Sequence, residues 1–469
     1  MPRSTPIRVS DSGNSRNIVD TLPPELLVAI FHNCLPVSTD AEHEPHLVDS
    51  NGAPLLLTQI SSLWRRLALS TPTLWKTFYI DIDILKHPDR LSELAEMWLS
   101  RAGSCPLDIS IKGNLYGDDQ LEYGVEGFWE VFAEHTAHIR ALHLLVNLED
   151  VVTLDENEWT FPLLEELEIT PELDIEDEDD DPDWPTITSF SSSKHLRKLT
   201  LDSLPLSSLS IPLASITHLV ARGYKKLQHC LDALSNLPNL LQFDLEEYQS
   251  DSSVQPTEAL PHSTLQRLHL TQDVSDLSPA PMLLQFLTLP ALKELRVENT
   301  AASGSTVNEL LARSSWPTLR ALQLSPPGDK TLLSVDIFNK PSFATLEELE
   351  VSFAEATSLE GFFTALGADA GFLPRLKSFT LNCEAAEEDV GTADAAYALP
   401  LIATAVTKRL ALQPLWTLRY LRVQWDANDP DAAPDEEVLD GVLGPFRLLK
   451  QRGVEVYIGD DESTSTSIV

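Results

Sequence analysis

The sequence predicts an α/β chain: a short helical unit near the N-terminal end, then strand–helix repeats whose strands form one curved parallel sheet. Three observations predict it. An apolar motif, L-x-x-L-x-L with Ile, Val or Phe allowed, recurs eleven times between Ile139 and Val423. The segments between its copies read as helices. Upstream, residues 22–75 carry helical apolar spacing in place of strand alternation.

The helical unit comes first. LPPELLVAIF, Leu22 to Phe31, has Pro23 and Pro24 where a helix starts and Glu25 in its first turn, where a carboxylate complements the dipole. Its apolar residues Leu22, Leu26, Leu27, Ile30 and Phe31 wrap around more than one face. In PLLLTQISSLWRRLALSTPTLW, Pro54 to Trp75, the residues Leu56, Ile60, Leu63, Trp64 and Leu67 form one helical stripe of about four turns. Pro54 suits the first turn, and Pro72 ends the helix near Ser70. A unit of about 50 residues is marginal by itself, so its surplus apolar surface marks a protein interface.

These two stretches, in this order, resemble the F-box of fungal, mushroom-type F-box proteins, over about 55 of the 469 residues. Two departures stand out. Ile60-Ser61 replaces a Val-Cys pair frequent in the family, and an insertion, Pro36 to Ala53, separates the helices. The resemblance implies docking on the Skp-type adaptor of a cullin–RING (SCF-type) ubiquitin ligase, with the rest of the chain recognising a protein substrate. Leu22, Pro23, Pro24, Leu26, Leu27, Ile30, Ile60 and Trp64 are the expected adaptor-binding residues. For Trp64 the alternatives are the core of the helical unit and the adaptor face, and core is the favoured one.

Past residue 80 the pattern changes. Asp89 to Ala102 reads as a junction helix with the stripe Leu91, Leu94, Ala95, Trp98 and Leu99, stopped at Gly103. PLDISI, Pro106 to Ile111, alternates as a strand, and Phe128 to Thr136 reads as a helix. The repeated motif follows. From Ile216 its copies start 24, 25, 27, 27, 27, 30 and 42 residues apart. LDALSNL, MLLQFLTL, TVNELLAR, LEGFFTAL and LIATAVTKRL look helical between them, and GVEVYIG supplies a closing strand. Motif and period resemble leucine-rich repeats. That resemblance implies a solenoid with a curved parallel sheet inside and helices outside. The family's asparagine after the motif is missing from most copies and the spacing is uneven, so the array should be irregular. The alternative is an ordinary α/β domain with amphipathic strands.

The expected organisation is a disordered tail over 1–17, the F-box-like unit over 18–80, a junction over 81–138, the repeat array over 139–458 and a second tail over 459–469. The acidic run 172–184 is a solvated insertion or a decoy for basic partners.

Charge and composition bound the partners. With 33 basic and 72 acidic residues, net −39, the chain lacks the basic footprint of a nucleic-acid binder and is disfavoured at anionic membranes. Its longest apolar run, Ala398 to Val406, is too short for a bilayer, and residues 1–17 lack the apolar core of a signal peptide. Four scattered cysteines without a C-x-x-C pair point to a reduced compartment, cytoplasmic or nuclear.

No catalytic motif such as G-x-S-x-G, a P-loop or H-E-x-x-H is present, so the chain is expected to be a receptor rather than an enzyme, with no cofactor. His32, Cys34, His43 and His46 form one tight His/Cys group, read as solvated histidines and a half-buried cysteine rather than a metal site. In the repeat strands the leucines point inward and alternate residues point to the concave face. Lys198, Arg267, His269, Arg296, Glu348, Glu350, Tyr420 and Arg422 are therefore the expected substrate-binding residues. The basic ones among them could pair with an acidic or phosphorylated segment.

Overall fold

The computed structural model describes residues 22–36, 52–82, 90–113, 122–157, 159–172, 184–248, 259–272, 283–298, 304–325, 335–353, 356–383, 394–425, 434 and 436–460. The expected tail 1–17, most of the Pro36–Ala53 insertion with His43 and His46, and nearly all of the acidic run lie outside them. The chain divides into two units, residues 1–164 and 165–469. The division falls one motif copy later than the expected start of the array at 139.

The first unit opens with α1 (Pro24–Asn33), α2 (Leu57–Ile60) and α3 (Ser62–Leu69). Pro24 sits in the first turn of α1, and the helix buries Leu27 and Phe31, four residues apart on one face. The Phe31 ring lies 4.7 Å from the ring of Trp64 on α3. The expected single helix through the Leu56–Leu67 stripe is in fact two. Ser61 is extended (φ −155°, ψ 166°), and its side chain accepts a hydrogen bond from the Trp64 N–H. A serine hydroxyl competes with the helix ladder for backbone groups and favours a new start over continuation. The break re-aims the apolar residues: Leu57 and Ala68 are buried, whereas Leu56 and Ile60 are 40% and 53% exposed.

Three parallel strands follow in this unit: β1 (Thr77–Asp81), β2 (Leu107–Lys112) and β3 (Ile139–Asn147). Strand β1 was not foreseen, because FYID directly follows a helical signature. The connecting helices are α4 (Leu91–Ala102), α5 (Glu122–His135) and, after β3, α6 (Leu148–Glu156). The core is aromatic. Trp75 and Trp98 meet edge to face at 4.9 Å, and both indole N–H groups donate to backbone carbonyls, of Ala68 and Thr77. Burying an indole requires such a partner for its N–H.

In the second unit eleven strands pair parallel, each beside the next in the order β4, β5, β6, β7, β9, β11, β12, β13, β14, β15, β16. They are β4 (Glu166–Glu172), β5 (Lys198–Asp202), β6 (His218–Arg222), β7 (Gln242–Tyr248), β9 (Arg267–Gln272), β11 (Glu294–Glu298), β12 (Ala321–Ser325), β13 (Glu348–Ser352), β14 (Ser378–Cys383), β15 (Tyr420–Trp425) and β16 (Glu455–Asp460). Two-residue strands β8 (Leu260–Pro261) and β10 (Leu287–Thr288) pair separately. The motif residues are the core: Leu199, Leu219, Phe243, Leu295 and Val423 each have no exposed surface.

The connections vary. Helices α7 (Leu227–Asn236), α8 (Gly304–Arg313), α9 (Ala356–Ala368) and α10 (Ala395–Leu412) lie where helical spacing placed them. Leu283 to Thr288 of MLLQFLTL instead form a 3₁₀ turn and β10, and among the described residues 3₁₀ turns without an α-helix link β5 to β6 and β12 to β13. Helix α11 (Glu436–Gln451) was not foreseen, since Gly441, Gly444 and Pro445 break helical propensity within it. Gly367 lets α9 approach α10 closely, since a side-chain carbon there would sit 3.1 Å from Ala405 Cα. Helix α10 is the one described helix long and apolar enough to span a bilayer, longer than the expected apolar run, yet half of it is buried and it packs between α9 and α11.

Candidate interaction sites

The first site lies on α1 to α3. Of the twelve large hydrophobic residues exposed among the described residues, five are here: Leu26, Ile30, Leu56, Ile60 and Leu69. The expected adaptor-binding residues sort into two groups. Pro23, Pro24, Leu26, Ile30 and Ile60 are exposed, and Leu22 and Trp64 are half-buried. Leu27 is fully buried beside Phe31 and supports the helix from beneath, so it offers no surface to a partner. Leu27 therefore leaves the group of surface candidates. The reason is local: the inward face of α1 runs through Leu27 and Phe31, placing Leu26 and Ile30 on the outward side. Cys34 is exposed rather than half-buried.

The second site is the polar face of the eleven-stranded sheet. Strand register sets its residues in rows. One row runs Glu166, Lys198, His218, Gln242, Arg267, Glu294, Ala321, Glu348, Ser378, Tyr420, Glu455. The next runs Glu168, Thr200, Val220, Asp244, His269, Arg296, Gln323, Glu350, Thr380, Arg422, Tyr457. All eight expected substrate-binding residues stand in these two rows, brought together from positions 198 to 422.

What register also brings together is charge of opposite sign. Lys198 pairs with Glu166 at 2.5 Å. Arg222 bridges Glu246 at 2.8 Å and Glu168 at 3.0 Å. Arg267 lies 3.7 Å from Glu294 and donates to Gln242. His269 lies 3.3 Å from Glu298. Glu350 accepts from Asn382, which in turn accepts from Gln424. Exposed pairs of this kind contribute about 0–1 kcal/mol each. Their effect is on availability: a basic residue already facing a carboxylate is a weaker anchor for an acidic partner. Lys198, Arg267 and His269 are thus already engaged by carboxylates of the same face. Arg296, exposed and without a carboxylate at ion-pair distance among the described residues, and Arg422 keep that character.

The electrostatics follow the pairing. Burial opposes the charge of Arg222, but hydrogen bonds and the charges of Glu246 and Glu168 outweigh it and raise its pKa. The hydrogen bond to Glu298 raises the pKa of His269 against burial and Arg296, and it lowers that of Glu298. His218 moves the other way: burial lowers its pKa, and Arg267 and Lys198 add to the effect against Asp244.

No protein-family model and no curated protein matches the chain.

Several residues that shape this face escaped sequence reasoning. Arg222, Glu246, Glu298 and Asn382 lie beyond the last leucine of the motif, in the extension of each strand. The strand alternation continues through them and could have located them. Arg409 and His262 carried no such signal. His262 is buried, its Nδ1 accepts from the Leu265 N–H and its Nε2 faces the Leu237 carbonyl at 2.9 Å. That geometry fixes the tautomer with the proton on Nε2. It acts as a strap between turns. Among the described residues no group of three or more His, Cys, Asp or Glu could hold a metal ion.

Proposed function

We propose that this chain is the substrate-recognition subunit of a cullin–RING ubiquitin ligase. In this reading α1 to α3 are an F-box that docks on a Skp-type adaptor, and the second unit is a leucine-rich-repeat solenoid whose polar sheet face holds a protein substrate. The chain has no catalytic role of its own. It acts by proximity, raising the effective concentration of substrate lysines near the charged enzyme. The work is done in the cytoplasm or nucleus.

The supporting observation is the distribution of exposed apolar side chains. The leucines of the repeated strand motif are buried, while Leu26, Ile30, Leu56, Ile60 and Leu69 stay exposed within one short helical stretch. Clustered apolar exposure is the usual mark of a protein interface.

The test is calorimetric titration of the full-length protein with the Skp-type adaptor of the same organism. Sub-micromolar binding is expected. The variant Leu26→Asp/Ile30→Asp/Ile60→Asp should lose about a hundredfold in affinity without a change in thermal unfolding, since apolar anchors dominate such interfaces. No binding by the folded wild-type protein would overturn the reading. It would leave a non-degradative scaffold in which α1 to α3 only cap an array, a role repeat proteins require.

A further inference from the structure

Where β14, β15 and β16 adjoin, the polar face holds a cleft of about 430 Å³. That is at the lower end of the range for ligand-binding clefts. Its polar wall is Ser378 and Thr380, Tyr420 and Arg422, and Glu455 and Tyr457. The Arg422 guanidinium lies over the Tyr457 ring, 4.8 Å from its centroid. Tyr457 is itself anchored, its hydroxyl donating to the Asp460 carbonyl at 2.6 Å. Arg422 is therefore held in place without a carboxylate. Among the described residues none lies at ion-pair distance from it, and its Nε is buried with no hydrogen-bond partner.

This sets Arg422 apart from Lys198, Arg222, Arg267 and His269, each of which meets a glutamate of the same face. Stacking uses the flat face of a guanidinium and leaves its edge donors for a planar acceptor.

We propose that this cleft binds one carboxylate side chain, Asp or Glu, of an extended peptide segment in the partner protein. Arg422 supplies the two-pronged contact, and the hydroxyls of Ser378 and Thr380 stand on the adjacent strand for the remaining lone pairs. Tyr420, 49% exposed, offers a ring to the neighbouring residue. The proposal rests on the substrate-receptor reading of this face and names the chemistry it would recognise.

Charge decides between a carboxylate and a phosphate. A phosphate monoester carries about −1.5 to −2 near neutral pH. Among the described residues that line the cleft Arg422 is the one cation, and the Glu455 carboxylate in its wall repels a second negative charge. A monoanionic carboxylate matches one guanidinium in both charge and geometry.

The test uses three capped hexapeptide libraries, identical except for a central Glu, Gln or phosphoserine, retained on the full-length protein. The Glu library should be retained about tenfold over the Gln library, as one charge-assisted bidentate contact implies. Arg422→Gln should abolish that preference, and Arg422→Lys, which keeps the charge but not the fork, should lose most of it. Equal retention of Glu and Gln, a preference for phosphoserine, or a Glu preference that survives Arg422→Gln would overturn the proposal. Should Arg422→Gln fail to fold, Glu455→Lys at its exposed position carries the test. It should raise phosphoserine retention above that of Glu, and unchanged retention would overturn the proposal. Peptide retention is independent of the adaptor. Loss of adaptor binding with an intact Glu preference removes the receptor reading alone, and the reverse removes the cleft alone.

Discussion

Arg409 on α10 donates from Nη2 to the backbone carbonyl of Phe372 at 2.9 Å, and it does so with no exposed surface of its own. The same guanidinium donates to the carbonyls of Leu366, Asp369 and Ala370, where α9 ends. The last carbonyls of a helix have no intrahelical partner and carry its negative dipole end. Arg409 satisfies them from a neighbouring helix, so a buried cation stands without a buried carboxylate. Burial lowers its pKa, and the charge of Asp369 pulls the other way.

Arg409→Met should therefore cost about 2–3 kcal/mol, because the carbonyls of the buried residues Leu366 and Phe372 lose their donor. Arg409→Lys should recover only part, since one ammonium cannot reach four acceptors. Urea unfolding followed by circular dichroism measures both. Equal stability of wild type and Arg409→Met would remove the capping role.

His269 and Glu298 make the polar face sensitive to pH. The folded pKa of His269 is raised, so its contribution to stability is complete below the unfolded value of about 6.5 and is lost as pH rises through the folded value. Glu298 is lowered, so its contribution is present above the unfolded carboxylate pKa and is lost as pH falls through the folded one. Both are charged in the window between. An NMR titration of His269 should place its midpoint above that of a free histidine. Glu298→Gln should lower the midpoint, and Arg296→Gln should raise it, because Arg296 opposes the charge. A midpoint unmoved by Glu298→Gln would show that the pair does not form in solution.

The strands were the most legible part of the sequence, for a physical reason. Each copy of the motif has to bury three apolar residues on one side, so a triplet such as Leu196, Leu199 and Leu201 announces itself by spacing alone and ends with no exposed surface. The pairing of Arg222 with Glu168 and Glu246 was not legible. Its partners lie 54 and 24 residues away, and only strand register brings them to one place. On α1 the apolar residues were readable but their orientation was not. Leu26 and Leu27 are adjacent in sequence and opposite in exposure, and their sequence gives no ground for choosing between them. The choice is made by Trp64, which packs on Phe31 and so defines the inner face.

That orientation has a measurable consequence. Leu27→Ala should cost about 2–5 kcal/mol, the range for truncating a buried leucine. Ile30→Ala, at a position 41% exposed, should stay within about 0.5 kcal/mol. Amide hydrogen exchange across α1 reads both locally. Equal loss of protection in the two variants would place Ile30 inside as well, and would withdraw it from the docking surface.

Ser61 offers a test in which the sign of the effect discriminates. Were residues 56–69 one continuous helix, Ser61→Ala would stabilise it, because alanine has the highest helix propensity and a mid-helix serine hydroxyl competes for backbone groups. In the structure Ser61 is extended and caps α3, accepting from the Trp64 N–H at 3.2 Å. Alanine then removes the acceptor and leaves an N–H at the helix start unpaired, at a cost of about 1 kcal/mol. The break also bears on what the surface presents: with the helix interrupted at Ser61, Leu57 is buried and Ile60 exposed. Thermal unfolding of Ser61→Ala should thus fall below wild type. A rise would mean a continuous helix, with Ile60 rotated toward the interior and the apolar surface of this unit reduced accordingly.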